Sequence, residues 1–262
     1  MAVQAPALIN NWWVYLRDSM GSTHLNPSSK QIHNAYRFRS QMLTYGWTEK
    51  AIAGMLGNIQ HESGLTTGAI QKYWICPNSG ESLSDVPNSW MINNYFNPNN
   101  VSKRGYGIGL IQWDSYTNVA TPHGPALVSY AIRNNMDWYD GDAQTSRLEY
   151  EYQHDTTGGQ IPVPATGQTY SWWTVHRWQG IDWTYSMFKY QSDRITPSLA
   201  ADIFRAGRER GGDESIQIRR DNAEYWYTYF QQHPVAPPSP AILAMIHKNN
   251  ERKVLKNVKI RL

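Results

Sequence analysis

Cysteine is nearly absent: Cys76 is the single one in 262 residues. That excludes a disulfide within the chain and any zinc site built from several cysteines. Long apolar runs are missing too. None approaches the ~20 residues that span a bilayer, so no membrane insertion is expected. The opening text "MAVQAPALINNWWVYLRDSM" lacks the basic start and unbroken apolar stretch of a secretory signal. It reads as a short amphipathic helix, and export by the secretory route is not expected. Phenylalanine is scarce, with 5 against 12 Trp and 17 Tyr. Trp and Tyr join an apolar face to a polar edge, which suits sugar rings and ordinary interfaces alike.

Strong charge is missing from most of the chain. The net charge is +3, but residues 231–262 hold six Lys/Arg and one Glu, a net of +5, which leaves residues 1–230 at −2. The basic character therefore belongs to the tail, and no nucleic-acid partner is expected for the body. The eight His are scattered, so neither a metal nor a cofactor is expected. What is present, 40% hydrophobic and 17% charged residues, is enough for a globular protein with a sizeable core.

Three segments follow from composition. Residues 1–30 read as a lead-in helix and a Gly/Ser/Asn/Pro-rich turn region, residues 31–230 as the main domain, and residues 231–262 as a Pro-rich linker, "HPVAPPSP", with a basic tail. In the main domain, Gln31 to Tyr45 carries Ile32, Ala35, Tyr36, Arg39 and Leu43 at helical spacing, and Gly46 ends it. The next helix has Thr48 as N-cap, Glu49 in its first turn and Gly64 as its left-handed stop. Thr66 to Leu110 is rich in Asn, Ser, Gly and Pro and predicts irregular structure with a small β-hairpin. Asp155 to Thr169 predicts a surface loop. Thr196-Pro197 opens another helix that Gly207 closes. Ala223, Trp226, Tyr227 and Phe230 give the apolar face of a final one.

"NIQHESGL", Asn58 to Leu65, poses the functional question. Ile52, Met55, Leu56 and Ile59 form a core-facing stripe, and Glu62 falls seven residues after Met55. Seven steps of the helix bring it back to within ~20° of Met55. Glu62 is thus expected to point coreward, one turn from a helix C-terminus whose dipole disfavours an anion. Burial and dipole together push a carboxyl group toward its protonated form, the state of a general acid. Glycosidic bond cleavage needs such an acid. The alternative is a last-turn Glu that swings to solvent. A zinc HExxH site fails because Leu65 stands where the second His belongs.

"RGYGIGLIQWD", Arg104 to Asp114, is the second constellation. The dinucleotide fingerprint fails, because Leu110 stands where its last Gly belongs. Either the backbone comes close to a ligand that Gln112, Trp113 and Asp114 bind, or a glycine-rich turn feeds the core and Trp113 is a core residue.

Together "AIAGMLGNIQHESGL", "GYGIGLIQWD" and the closing text "DWTYSMFKYQS…ADIFRAGRERGG…RRDNAEYWYTYF" resemble the phage tail lysozymes, across about residues 31 to 230. The resemblance implies an α+β, mostly α, lysozyme-like fold: a helical lobe and a small irregular or β lobe around a cleft. It implies a virion-associated muramidase cutting the β-1,4 bond of peptidoglycan, with Glu62 as general acid. Gly107, Gly109, Gln112 and Trp113, with Tyr106 beside them, become substrate-binding candidates. Asp114 departs from the Thr usual in the family. It is a candidate second catalytic carboxylate or a helix N-cap, and Glu81 and Asp85 are further candidates. Peptidoglycan strands are the implied partner, and the basic tail is expected to dock on other tail proteins or on the chain's own acidic body. Trp138, Trp172, Trp173 and Trp178 are expected to extend the sugar surface or to pack against phage neighbours. Lytic transglycosylase, free endolysin and a structural tail protein without turnover remain alternatives.

Overall fold

The computed structural model describes residues 27–65, 87–95, 107–113, 123–156, 161–163, 168–170, 176–178, 180–209 and 215–234. Cys76, Glu81, Asp85, Tyr106, Asp114, Trp172, Trp173, the lead-in helix and the tail beyond residue 234 lie outside them. The described core belongs to the compact unit Leu8–Tyr229; of a second unit, only the last residues of the final helix and its exit, 230–234, are described. The fold is α-rich and lysozyme-like.

Helix α1, Ser29–Thr44, begins earlier than the periodicity predicts because Ser28 forms a capping box with Gln31. Its buried face carries Ala35, Tyr36, Phe38 and Met42, whereas Leu43 is exposed. Helix α2, Glu49–Ser63, starts at the Thr48 cap and stops at Gly64 with φ 61°. Residues 51–60 are buried without a break, so α2 is a central helix and not one with a single buried stripe. Its small residues let neighbours come close. A Cβ on Gly54 would meet Ala200 Cβ at 2.8 Å in helix α7, Pro197–Phe204. A Cβ on Gly57 would meet Ala223 Cβ at 2.9 Å in helix α8, Ile216–Gln232. Gln60, fully buried, accepts a 2.7 Å hydrogen bond from the indole Nε1 of Trp226.

Between α2 and α7 lie short helix α3, Asn88–Trp90, continuing as a π-helical turn to Tyr95, then α4, His123–Arg133, and α5, Gly141–Thr156. Two antiparallel hairpins follow: β1, Ile161–Val163, with β2, Gln168–Tyr170, and β3, His176–Trp178, with β4, Ile181–Trp183. Helix α6, Tyr185–Gln191, then leads to α7. Strand structure thus enters the stretch Asp155 to Thr169 that its composition marks as loop. The described parts of Thr66 to Leu110 are helix α3, its π turn and a tight turn ending at Trp113. Gly207 does not close α7. The helix widens into a π turn, Arg205–Glu209, with Gly207 inside it. Trp138 is a core residue with no exposure and offers no face to sugar; its backbone N–H donates to Asn88 Oδ1 at 2.9 Å.

The interior also holds charge. Lys189 of α6 pairs with Glu149 of α5 at 2.8 Å, both nearly out of water. Trp47 Nε1 donates to the same carboxylate at 2.8 Å, and the Lys189 ammonium lies 4.1 Å from the Tyr152 ring centroid. Such a pair holds only when the surrounding donors and rings replace the lost hydration.

Candidate active site

Glu62 sits in the last turn of α2, and three side chains fix that turn. Gln31 Nε2 donates to the Gly64 carbonyl at 3.1 Å and Asn34 Nδ2 to the Leu65 carbonyl at 2.8 Å, both from α1. Ser63 Oγ donates to the Ile59 carbonyl at 3.0 Å. The two bonds from α1 satisfy carbonyls at and just past the helix end, which have no partner within the helix. They also hold Leu65 at φ 65°, fully buried, in a region that disfavours a side chain by roughly 1–2 kcal/mol.

The Glu62 carboxylate does not enter an apolar slot as the stripe predicts. Its side chain is 27% exposed and forms an ion pair with Arg219 of α8, whose own side chain is 5% exposed. The contact is a short hydrogen bond from Arg219 Nη2 to Glu62 Oε1. Arg219 Nη1 donates to Asn58 Oδ1 at 2.8 Å, and Nε donates to Ser215 Oγ at 3.0 Å. Asn58, one helical turn before Glu62, is fully buried; its Nδ2 donates to the carbonyls of Gly54 and of Ala201 in α7. One polar chain therefore ties α7, α2 and α8 to the carboxylate. His61 stands beside it. Burial, then the Arg219 charge, pushes its imidazole below the ordinary range, and Glu62 acts in the opposite sense. Among the described residues its buried Nδ1 has no hydrogen-bond partner.

The glycine-rich segment is a tight hairpin. Ile108 and Trp113 exchange backbone hydrogen bonds of 3.0 and 2.8 Å. Its glycines make room for protein. A Cβ on Gly107 would meet Gln112 Cβ at 2.6 Å, and one on Gly109, at φ 76°, would meet Gln144 Oε1 at 2.7 Å. Gln144, from α5, accepts from Leu110 N at 2.8 Å and donates to the Trp138 carbonyl at 2.8 Å. Trp113 is 1% exposed, and its indole donates to Glu151 of α5 at 3.1 Å. Glu151 is paired in turn with buried Arg147 at 2.8 Å. Trp113 is thus a core residue, and its ring is not presented for stacking on a substrate.

Gln112 differs from its neighbours. It is held at φ 50° and half-buried, with Nε2 donating to the Gly109 carbonyl at 2.8 Å. Its buried Oε1 has no partner among the described residues. Of the described non-glycine residues with positive φ, Leu65, Gln112 and Asn135, two lie in the two motifs. Strain of this kind tends to gather at working sites. Gly107, Gly109, Gln112 and Trp113 thus share one hairpin on α5, and Glu62 lies at the end of α2. Among the described residues, no hydrogen bond or ion pair joins the two. Asn58, Ser215, Arg219, Gln144 and Glu151 escaped the sequence reading. The signal available was Asn58 itself, a polar residue four before Glu62 in the otherwise non-polar run Ala51 to Ile59.

Among the described residues, no helix is long and apolar enough to cross a membrane. The chain is similar to Morphogenesis protein 1 of Bacillus phage B103, with 25% identity over 195 residues, or 74% of this chain and 38% of that protein. It thus spans well under half the length of that relative. The sequence profile of the phage tail lysozymes matches residues 33–230, which include α2, the hairpin and nearly all of α8, and by that match the chain belongs to the phage tail lysozyme family.

Proposed function

We propose that the protein is a virion-associated glycoside hydrolase that cuts the β-1,4 bond between N-acetylmuramic acid and N-acetylglucosamine. It opens the host wall during delivery of the phage genome, and residues 31–230 are its catalytic domain. The observation that carries this reading is the placement of Glu62. It is a carboxylate at the braced end of a buried helix, still 27% exposed, within the span that matches the lysozyme family. In this reading Glu62 gives its proton to the leaving glycosidic oxygen. Gln112 Oε1, an acceptor without a partner among the described residues, takes an N–H from an acetamido group of the sugar. Gly107 and Gly109 shape the hairpin that presents it, with Tyr106 adjoining. Asp114, next in the chain after Trp113, is the first candidate for a second carboxylate.

The test is muropeptide mass spectrometry on Gram-positive cell wall digested with the wild type and with Glu62→Gln. Products with new reducing ends, lost in the variant, support a muramidase. Anhydro-muramic products, lost in the variant, make it a lytic transglycosylase with the same acid. A folded wild type that cuts no glycan overturns the enzyme and leaves a structural tail protein. The basic tail is read as a tether to other tail proteins. Deleting residues 235–262 is expected to lower incorporation into virions, and unchanged incorporation removes that role.

A further inference from the structure

Glu62 meets a cation whose own position is unusually well determined. Arg219 is almost wholly buried, and its three kinds of nitrogen have three different acceptors: Ser215 Oγ, Asn58 Oδ1 and Glu62 Oε1. A planar guanidinium engaged on several sides has little freedom left. Asn58, which receives it, is locked by its own bonds to Gly54 and Ala201. The carboxylate is therefore held by a chain of contacts that runs into the centre of the fold. Among the described residues, Glu62 Oε2 makes no hydrogen bond.

We propose that Arg219 is the positioning residue of Glu62: anchored by Asn58 and Ser215, its guanidinium fixes Oε1 and leaves Oε2 to carry the catalytic proton. The proposal rests on the reading of Glu62 as general acid. The arrangement has a consequence that a purely structural ion pair lacks. Without the guanidinium the carboxylate is free to turn away from the glycosidic oxygen, which lowers kcat and leaves substrate binding, and so KM, nearly unchanged. Among the described residues, the charged or titratable groups that bear on Glu62 are Arg219 from α8 and His61 from α2 itself. His61, kept neutral by burial, does not compete for that role near neutral pH.

The experiment compares wild type, Glu62→Gln, Arg219→Gln, Arg219→Lys and Ser215→Ala on soluble glycan strands, with kcat and KM measured across pH. Arg219→Gln is expected to lower kcat by about tenfold to a hundredfold, as misplaced catalytic groups do, with KM changed little. Arg219→Lys keeps a positive charge without the fork, so kcat recovers in part relative to Arg219→Gln while KM stays near that of the wild type. Ser215→Ala removes one anchor and retains the charge; kcat falls severalfold, again with KM little changed. If Arg219→Gln does not fold, the latter two variants decide, and full kcat in both overturns the role. A folded Arg219→Gln with wild-type kcat overturns it also, while Glu62→Gln being inactive keeps the function standing. A wild type that cuts no glycan overturns both.

Discussion

The backbone of Arg219 occupies the space into which a side chain on Gly57 would grow. A Cβ at position 57 meets the Arg219 carbonyl oxygen and, at 2.9 Å, both Cβ and N of Ala223. Backbone cannot swing aside, so α8 would have to move off α2. Gly57→Ala is expected to destabilise the protein by about 1–3 kcal/mol, the usual range for overpacking. Because the displaced residue carries the partner of Glu62, glycan cleavage should fall as well, even below the denaturation midpoint. Urea denaturation and a cleavage assay on the same preparation check both. Wild-type stability and rate in the alanine variant would mean that α8 can shift freely here.

Local chemistry was legible in the sequence; long-range pairing was not. Thr48 and Gly64 read correctly as the ends of α2, because a cap and a left-handed stop depend only on adjacent residues. The capping box of Ser28 and Gln31 was equally legible, and periodicity alone placed the start of α1 too late. The core face of α1 was half right, since Phe38 and Met42 are buried and Leu43 is exposed, as its neighbouring helices dictate. Glycines mark close approach but do not say to what. Gly107 and Gly109 make room for Gln112 and Gln144, where the sequence left a ligand and a core-feeding turn equally open. Arg219 lies 157 positions from Glu62, and no local pattern joins them. The expected apolar setting of Glu62 failed for that reason.

Gln144 is the pin that holds the hairpin on α5. Its Oε1 accepts the Leu110 N–H and its Nε2 donates to the Trp138 carbonyl, both at 2.8 Å, with no exposure to water. Gln144→Ala leaves a buried donor and a buried acceptor open, each worth about 1–3 kcal/mol. A loss of at least about 2 kcal/mol is expected in chemical denaturation, together with faster amide exchange at Leu110. Protection at Leu110 equal to the wild type would show that another acceptor takes over.

The Lys189–Glu149 pair calls for a double substitution. Lys189→Met alone leaves Glu149 buried with, among the described residues, only Trp47 and Gln153 as donors, at 2.8 and 3.2 Å. Breaking a buried pair from one side typically costs about 3–5 kcal/mol. Lys189→Met with Glu149→Leu removes both charges, and most of that loss should return. Thermal or urea unfolding of the three variants reads the coupling directly. A single variant within about 1 kcal/mol of the wild type would mean that Glu149 reaches water more easily than its surroundings suggest.

His61 makes stability fall on mild acidification. Burial and the Arg219 charge lower its affinity for a proton in the folded state, against partial opposition from Glu62. In the unfolded chain it titrates near its ordinary value of about 6.5. Between that value and the lower folded one, the unfolded state binds more protons, so stability rises with pH across this window. As pH falls from about 8 to about 5, the wild type should lose stability that His61→Gln retains, since glutamine has nothing to protonate. The quantity to measure is the difference between the two unfolding free energies at each pH, which cancels the other histidines. A difference that narrows or changes sign on acidification in favour of the variant supports the neutral, buried imidazole. Parallel curves would mean that His61 protonates as readily in the folded protein as in the unfolded chain, with room beside Arg219 for a second positive charge.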